Sequence, residues 1–265
     1  MNRILCQEQL LPGRDLLEKW DLAQRFGYDG IELRGQGSRA LEGRLPELKA
    51  AARAGVVMPT VCVDMLHFVG AFDDGLRQDA LDQMCSQLTV IAELGGTGAM
   101  TPASYGMFST RLPPFEPPRG PAEDRKVLEE SFAVLAEHAG SLGVVIMLEP
   151  LNRYEDHMVN RLCDAISLIE TVDSDSFRLA ADSYHMNIEE ADPAAALRAA
   201  APYLAHVQVS DSNRLEPGAG HLDWPLFCGT LTSVGYQGDI ALESRLSGHT
   251  SDVLHRVPTL LRRFL

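Results

Sequence analysis

Short apolar runs alternate with stretches in which apolar residues return every three or four positions, and the alternation repeats about eight times along the chain. The runs read as strands and the stretches as amphipathic helices. A strict strand-then-helix order implies a parallel sheet covered by helices. Eight such units predict a closed (β/α)8 TIM barrel, an α/β fold in which residues 1–265 form a single catalytic domain.

The first half predicts strands over residues 3–7, 30–34, 56–64 and 98–101, with Pro59 awkward for a central strand. Helices are expected over residues 15–26, 41–54 and 75–94, stopped by Gly27, Gly55 and Gly95-Gly96, and Leu81, Met84, Leu88 and Ile91 form a buried stripe on the third. Residues 102–121 are too rich in Pro, Ser and Gly for a regular element and predict a long loop, in which Tyr105, Met107 and Phe108 are candidates to cover a substrate. Leu128, Phe132, Leu135 and Ala139 mark the next helix. Later helices are expected over residues 160–172, 193–201, 224–234 and 253–264, and Asp223 ahead of Trp224-Pro225 is an N-cap.

The second-half strands share one construction. Val144-Val145-Ile146-Met147-Leu148 ends in Glu149, Phe177 to Ala181 ends in Asp182, Leu204 to Ser210 contains Gln208, and Asp239 to Leu242 ends in Glu243. Side chains alternate along a strand, so Glu149 shares a face with Met147 and Val145, Asp182 with Ala180, Gln208 with His206, and Glu243 with Ala241. All four can face one lumen at the C-terminal ends of the strands, where barrels of this kind carry their active sites. Three carboxylates brought together repel one another, and a divalent cation resolves that repulsion. An all-oxygen ligand set favours Mn²⁺ or Mg²⁺, with Co²⁺ also accommodated, over zinc. The competing reading, separate surface salt bridges, does not account for four such residues at one end of the barrel.

Composition narrows the function further. Charged residues are 23% of the chain and the formal charge is −14, which opposes binding to a nucleic-acid backbone but suits a cation. The five cysteines are widely spaced and read as reduced thiols. No apolar run reaches membrane-spanning length, and the expected location is cytoplasmic. The expected partner is a small-molecule substrate, and a homo-oligomer is compatible with the sequence.

Around the four strand ends stand His185 and Arg214, each placed to meet substrate oxygens, and Glu155, for which orienting substrate, His185 or a metal ligand and simple solvation are equal readings. His206, deeper on its strand, reads as a core histidine. His221 reads as shaping its loop, and Glu32 as a partner of a ligand. Asp64 and His67, after strand three, are lesser candidates.

The ordered set Glu149-Pro-Leu-Asn-Arg-Tyr-Glu155, Asp182-Ser-Tyr-His185, Val207-Gln208-Val-Ser-Asp-Ser-Asn-Arg214 with Pro217-Gly218, and Glu243 resembles the xylose-isomerase-like barrel family, in its sugar isomerase and epimerase branch. That resemblance implies that Glu149, Asp182, Gln208 and Glu243 ligate a metal, most often Mn²⁺. It also implies that Glu149 and Glu243 form the acid/base pair and that Glu155, His185 and Arg214 bind a keto-sugar. Gln208 departs from the ketose 3-epimerases, which place His there, and resembles hydroxypyruvate isomerases instead. The implied reaction removes a proton beside a carbonyl to form an enediolate and returns it to epimerise or isomerise the sugar. The alternatives are hydroxypyruvate isomerase, a metal-dependent endonuclease of the same fold, and a non-catalytic sugar-binding barrel. The endonucleases use extra zinc-binding histidines and a basic DNA face, which the sequence does not supply. A binding barrel has no need of two glutamates at a metal.

Overall fold

The computed structural model describes residues 2–108 and 113–265. Eight parallel strands close into a barrel in chain order: β1 (Ile4–Gln7), β2 (Gly30–Gln36), β3 (Thr60–Asp64), β4 (Gly98–Thr101), β5 (Val145–Leu148), β6 (Phe177–Asp182), β7 (Leu204–Val209) and β8 (Asp239–Leu242). Register is carried around to β8, which pairs with β1 through Ile240 beside Ile4. No helix among the described residues is long and apolar enough to cross a membrane.

The helices between the strands are α1 (Leu16–Arg25), α2 (Ala40–Gly43), α3 (Leu45–Arg53), α4 (Asp74–Glu93), α5 (Pro121–Leu142), α6 (Leu162–Val172), α7 (Ser183–Glu189), α8 (Pro193–Ala200), α9 (Trp224–Ser233), α10 (Thr250–Val253) and α11 (Arg256–Arg262). Asp223 caps α9 by accepting the Leu226 N–H at 2.9 Å, as its place before Trp224-Pro225 predicts. The main core lies between helices and barrel, where the ring of Phe132 on α5 stacks on Phe177 at the start of β6, 4.5 Å between centroids.

Three local expectations are corrected. Strand three begins at Thr60, not Val56, because Pro59 has no N–H to contribute to a ladder. The helix expected over residues 41–54 divides at Arg44 into α2 and α3, with Pro46 in the first turn of α3, and the helix expected over residues 253–264 divides into α10 and α11. Directly after β6 the chain enters the short helix α7, N-capped by the Asp182 carboxylate, and His185 rides on it. Within the predicted loop of residues 102–121, residues 109–112 lie outside the described residues.

The barrel interior differs from side to side. Met100, Met147 and Ala180, on β4 to β6, pack as an apolar cluster. Gln7, Glu32, Thr60, His206 and Gln208, on β1 to β3 and β7, form a buried polar network instead.

Candidate functional site

All four strand-end residues stand at the C-terminal mouth, but among the carboxylates Glu149 and Asp182 offer oxygens within 4.8 Å of each other while Glu243 falls outside that group and turns to Arg214. Glu149 is the residue after β5, Asp182 the last of β6, Gln208 lies in β7 and Glu243 follows β8, and the first three are almost wholly buried. A register shift at Leu179/Ala180 puts Asp182 beside Gln208, while Gln208 itself pairs with Ala241 on β8.

Gln208 is oriented from below. Its Nε2 donates to Glu32 Oε1 at 3.1 Å and contacts Cys62 Sγ at 3.5 Å, which leaves Oε1 buried without a hydrogen-bond partner. Glu32 in turn accepts from Thr60 Oγ1 at 2.9 Å and Gln7 Nε2 at 3.2 Å, and its Oε2 lies 2.8 Å from His206 Nε2. Burial alone would push the Glu32 carboxyl up, yet His206 and the hydroxyl and amide donors hold it below the usual glutamate value. A carboxylate that accepts the amide N–H groups leaves Gln208 only its carbonyl to present. His206 is therefore a core histidine set against Glu32, and Glu32 is the residue that positions Gln208.

Glu149, Asp182 and His185 each offer a ligand atom, all within 4.8 Å of one another. Hydrogen bonding distinguishes the histidine. Its Nδ1 accepts the backbone N–H of Asn152 at 3.0 Å and faces the Asn152 Nδ2 at 2.9 Å. Burial, aided by the nearby Arg214 cation, holds the ring neutral by pulling its pKa down to about 4. A neutral imidazole accepting at Nδ1 carries its proton on Nε2, which lies 3.7 Å from Glu149 Oε1 and 4.0 Å from Glu155 Oε2. His185 thus points a donor into the site, not a lone pair. Asn152, which sequence reasoning passed over, sets that tautomer, and its place in the Glu149-to-Glu155 segment was the available signal.

Arg214 does more than its sequence position predicts. Its Nη1 bonds Asp182 Oδ2 at 2.9 Å and Ser210 Oγ at 3.1 Å, and its Nη2 lies at ion-pair distance, 2.9 Å, from Glu243 Oε2. The guanidinium bridges two strand-end carboxylates and packs over the Tyr184 ring, 4.9 Å from its centroid. The loop that carries it is held by Asp211, fully buried, which accepts from the N–H groups of Ser212, Gly218 and Leu222 and from Trp224 Nε1 at 2.8 to 3.1 Å. A Cβ at Gly220 would fall 2.2 Å from Asp211 Oδ1, so only glycine fits that approach. Asp211 was not singled out in the sequence, since a buried loop aspartate carries no periodic signal. His221 does shape the loop, its Nδ1 lying 2.8 Å from Ser212 Oγ.

Glu149, Glu155, His185, Arg214 and Glu243 line one cavity of about 380 Å³, and Gln7, Cys62, Asp64, Met65, Phe68 and Tyr105 line it with them. Asp182 and Gln208 lie beneath this surface. Asp64 pairs with Arg34 at 2.5 Å on the rim. Of the loop residues expected to cover a substrate, Tyr105 reaches this cavity. Phe108 instead turns to a second hollow against His157, 5.4 Å between centroids.

These residues fit a hard divalent cation. Burial, then the charges of Glu243 and Asp182, push Glu149 well above the ordinary carboxylate range. Burial also raises Glu243, opposed by Arg214. The crowding is of the kind a cation relieves, and Gln208 Oε1 and Glu149 Oε1 stand buried without hydrogen-bond partners. Carboxylate and amide oxygens are donors for Mn²⁺ or Mg²⁺.

Comparison with known proteins follows the same outline. The sequence profile described as xylose isomerase-like TIM barrel matches residues 20–260. The 3-dehydro-D-guloside 4-epimerase of Escherichia coli (strain K12) is 38% identical over 245 residues, covering 92% of this chain and 92% of that one. An L-ribulose 3-epimerase of Methylomonas sp. (strain DH-1) is 29% identical over 231 residues, covering 84% of this chain and 76% of its own. The crystal structure of 3-keto-D-glucoside 4-epimerase from E. coli, in its apo form, superposes with a TM-score of 0.93 at 36% identity, covering 99% of this chain and 100% of that one.

Proposed function

The chain belongs to the xylose isomerase-like TIM barrel family, and from that footing we propose that it is a divalent-metal-dependent epimerase of keto-sugars, acting on the carbon beside the ketone of a 3-keto-glycoside. The observation that carries this reading is the pair of glutamates, Glu149 after β5 and Glu243 after β8, facing one cavity from strands three places apart in the barrel. The named 4-epimerase, similar along nearly its whole length, directs the choice to glycosides. The ketose 3-epimerases use the same α-hydroxy ketone at a different position of the sugar. Glu149, Asp182, Gln208 and Glu243 would hold the cation, with Mn²⁺ the preferred ion.

A divalent cation held there supplies Lewis-acid stabilisation of the oxyanion that develops on the ketone. One glutamate takes the proton from the carbon bearing the hydroxyl, and the C–H electron pair moves into the bond toward the carbonyl carbon, giving the enediolate. The other glutamate, protonated, returns a proton to the opposite face and the ketone re-forms. The net change is inversion of one carbon. The two carboxyl groups end with their protonation exchanged and are reset by solvent. His185 Nε2–H and Arg214 donate to substrate oxygens and fix the face presented to each glutamate, and Glu155 accepts from a hydroxyl at the cavity edge.

The test is NMR of methyl 3-keto-glucoside, a panel of free ketoses and hydroxypyruvate with the protein in D₂O. Deuterium should enter at C4 of the keto-glycoside with formation of the C4 epimer. Exchange confined to hydroxypyruvate would reassign the enzyme. In the Glu149→Gln and Glu243→Gln variants, turnover should fall by at least about 10²–10⁴-fold at equal metal content, because a positioned base is lost. Parent-rate epimerisation by both metal-loaded variants would refute the two-base assignment.

A further inference from the structure

At the edge of the cavity that Glu149 and Glu243 line, Tyr105 is 54% exposed, its ring 6.0 Å from that of Phe68, which is 5% exposed. Both line the same cavity as Glu149 and Glu243, with Met65 beside them. An aromatic ring half in water at a cavity edge is ordinarily free to swing, but the backbone on either side of this one is tied down. Ser104, fully buried, donates its N–H and Oγ–H to the two oxygens of Asp156 at 3.1 and 2.5 Å. Gly106 N–H donates to the Glu155 carbonyl at 2.8 Å, and the Ala103 carbonyl accepts the Gly70 N–H at 2.8 Å. Asp156, itself buried, also accepts the Met158 N–H at 2.7 Å. A buried carboxylate is thus committed to holding the residue before Tyr105, and the chain that carries Glu155 holds the residue after it.

We propose that Tyr105, backed by Phe68 and Met65, is the platform of an outer subsite that receives the aglycone of a keto-glycoside through the apolar face of a ring. The inference rests on the epimerase reading above. If the α-hydroxy ketone lies at the strand-end oxygens, the anomeric substituent, two carbons from the ketone, is carried away from them toward the open edge of the cavity, where half-exposed Tyr105 stands. A sugar ring presents a C–H face and an aryl group a π face, and both pack on a fixed aromatic side chain at small entropic cost. A free monosaccharide has nothing to place there.

The experiment measures KM for methyl, phenyl and glucosyl 3-keto-glucosides with the parent, Tyr105→Phe and Tyr105→Ala, after thermal melts show that the variants fold. The parent should have a KM roughly two- to tenfold lower for a ring-bearing glycoside than for the methyl one. Tyr105→Ala should bring that ratio toward one, and Tyr105→Phe should keep it. Preference for the phenyl compound alone would assign the subsite to aryl aglycones, and preference for the glucosyl compound alone would assign it to a second sugar. Equal KM values for all three glycosides, with no change in Tyr105→Ala, would overturn the subsite and leave the epimerase reading standing. Failure of all three to turn over would overturn both.

Discussion

Asn152 fixes the tautomer of His185: one residue directs both its backbone and its side-chain nitrogen at Nδ1, at 3.0 and 2.9 Å, and so leaves the ring's proton on Nε2, facing Glu149 and Glu155. Asn152→Asp replaces one donor by an acceptor and should draw the proton to Nδ1. The site would then lose a donor, and kcat/KM should fall by about 10²-fold, the scale of a misplaced positioning group. The imidazole ¹⁵N chemical shifts distinguish the two tautomers. Unchanged shifts together with unchanged kcat/KM would show that Asn152 has no such role.

Gln208 and Glu32 allow a prediction about the metal that does not depend on turnover. Because Glu32 accepts the Gln208 amide N–H, a histidine at the same place can donate one ring N–H to Glu32 and offer its other nitrogen to the cation. Gln208→His should therefore tighten binding, most for Co²⁺ or Zn²⁺, and Glu32→Gln should weaken it by about 10- to 100-fold. Isothermal titration of metal-stripped protein reads both. Chelation should also lower the melting temperature of the parent, since an ion at 100 times its Kd stabilises the folded state by about 2.7 kcal/mol.

Asp211 accepts four N–H groups within the loop that carries Arg214. Asp211→Ala leaves those donors without a partner and should cost about 3 kcal/mol or more, read from urea unfolding. Arg214 itself has a left-handed backbone, φ 61°, so relaxation of the loop should also release the guanidinium from Asp182. The variant should consequently lose more kcat/KM than its unfolded fraction accounts for. A loss that tracks stability alone would limit Asp211 to folding.

Asp156 gives a pH dependence of defined sign. Burial raises its carboxyl to about 6 against the hydrogen bonds from Ser104 and Met158, well above the ordinary aspartate value of 3.8. The folded state then binds the proton more tightly than the unfolded one. The stabilisation from that proton is complete below about pH 4 and is lost as pH rises through about 6. Compared with Asp156→Asn, the parent should gain stability as pH is lowered from 7 to 4, by about 3 kcal/mol if the full shift is expressed. Urea unfolding of both proteins across that range checks it, and a constant difference would remove Asp156 as the titrating group.

The amino-acid sequence alone determined the alternation of strands and helices and the polar residue that ends or interrupts each second-half strand. Those signals are local: an apolar run long enough for a covered strand, a period of two that puts Glu149 on the face of Met147, a proline or glycine where an element stops. Barrel closure and the register shift at Leu179/Ala180, which sets Asp182 beside Gln208, belong to the tertiary structure. So do the pairing of Glu32 with Gln208, 176 residues apart, the two nitrogens of Asn152 on His185, and the reach of Arg214 to both Asp182 and Glu243. Neither was it legible that, of two aromatic residues in one loop, Tyr105 would line the cavity and Phe108 would turn away. Each of these contacts depends on how curved strands and their loops meet in space. A periodic pattern states which face a side chain takes, but only packing settles which partner it finds there.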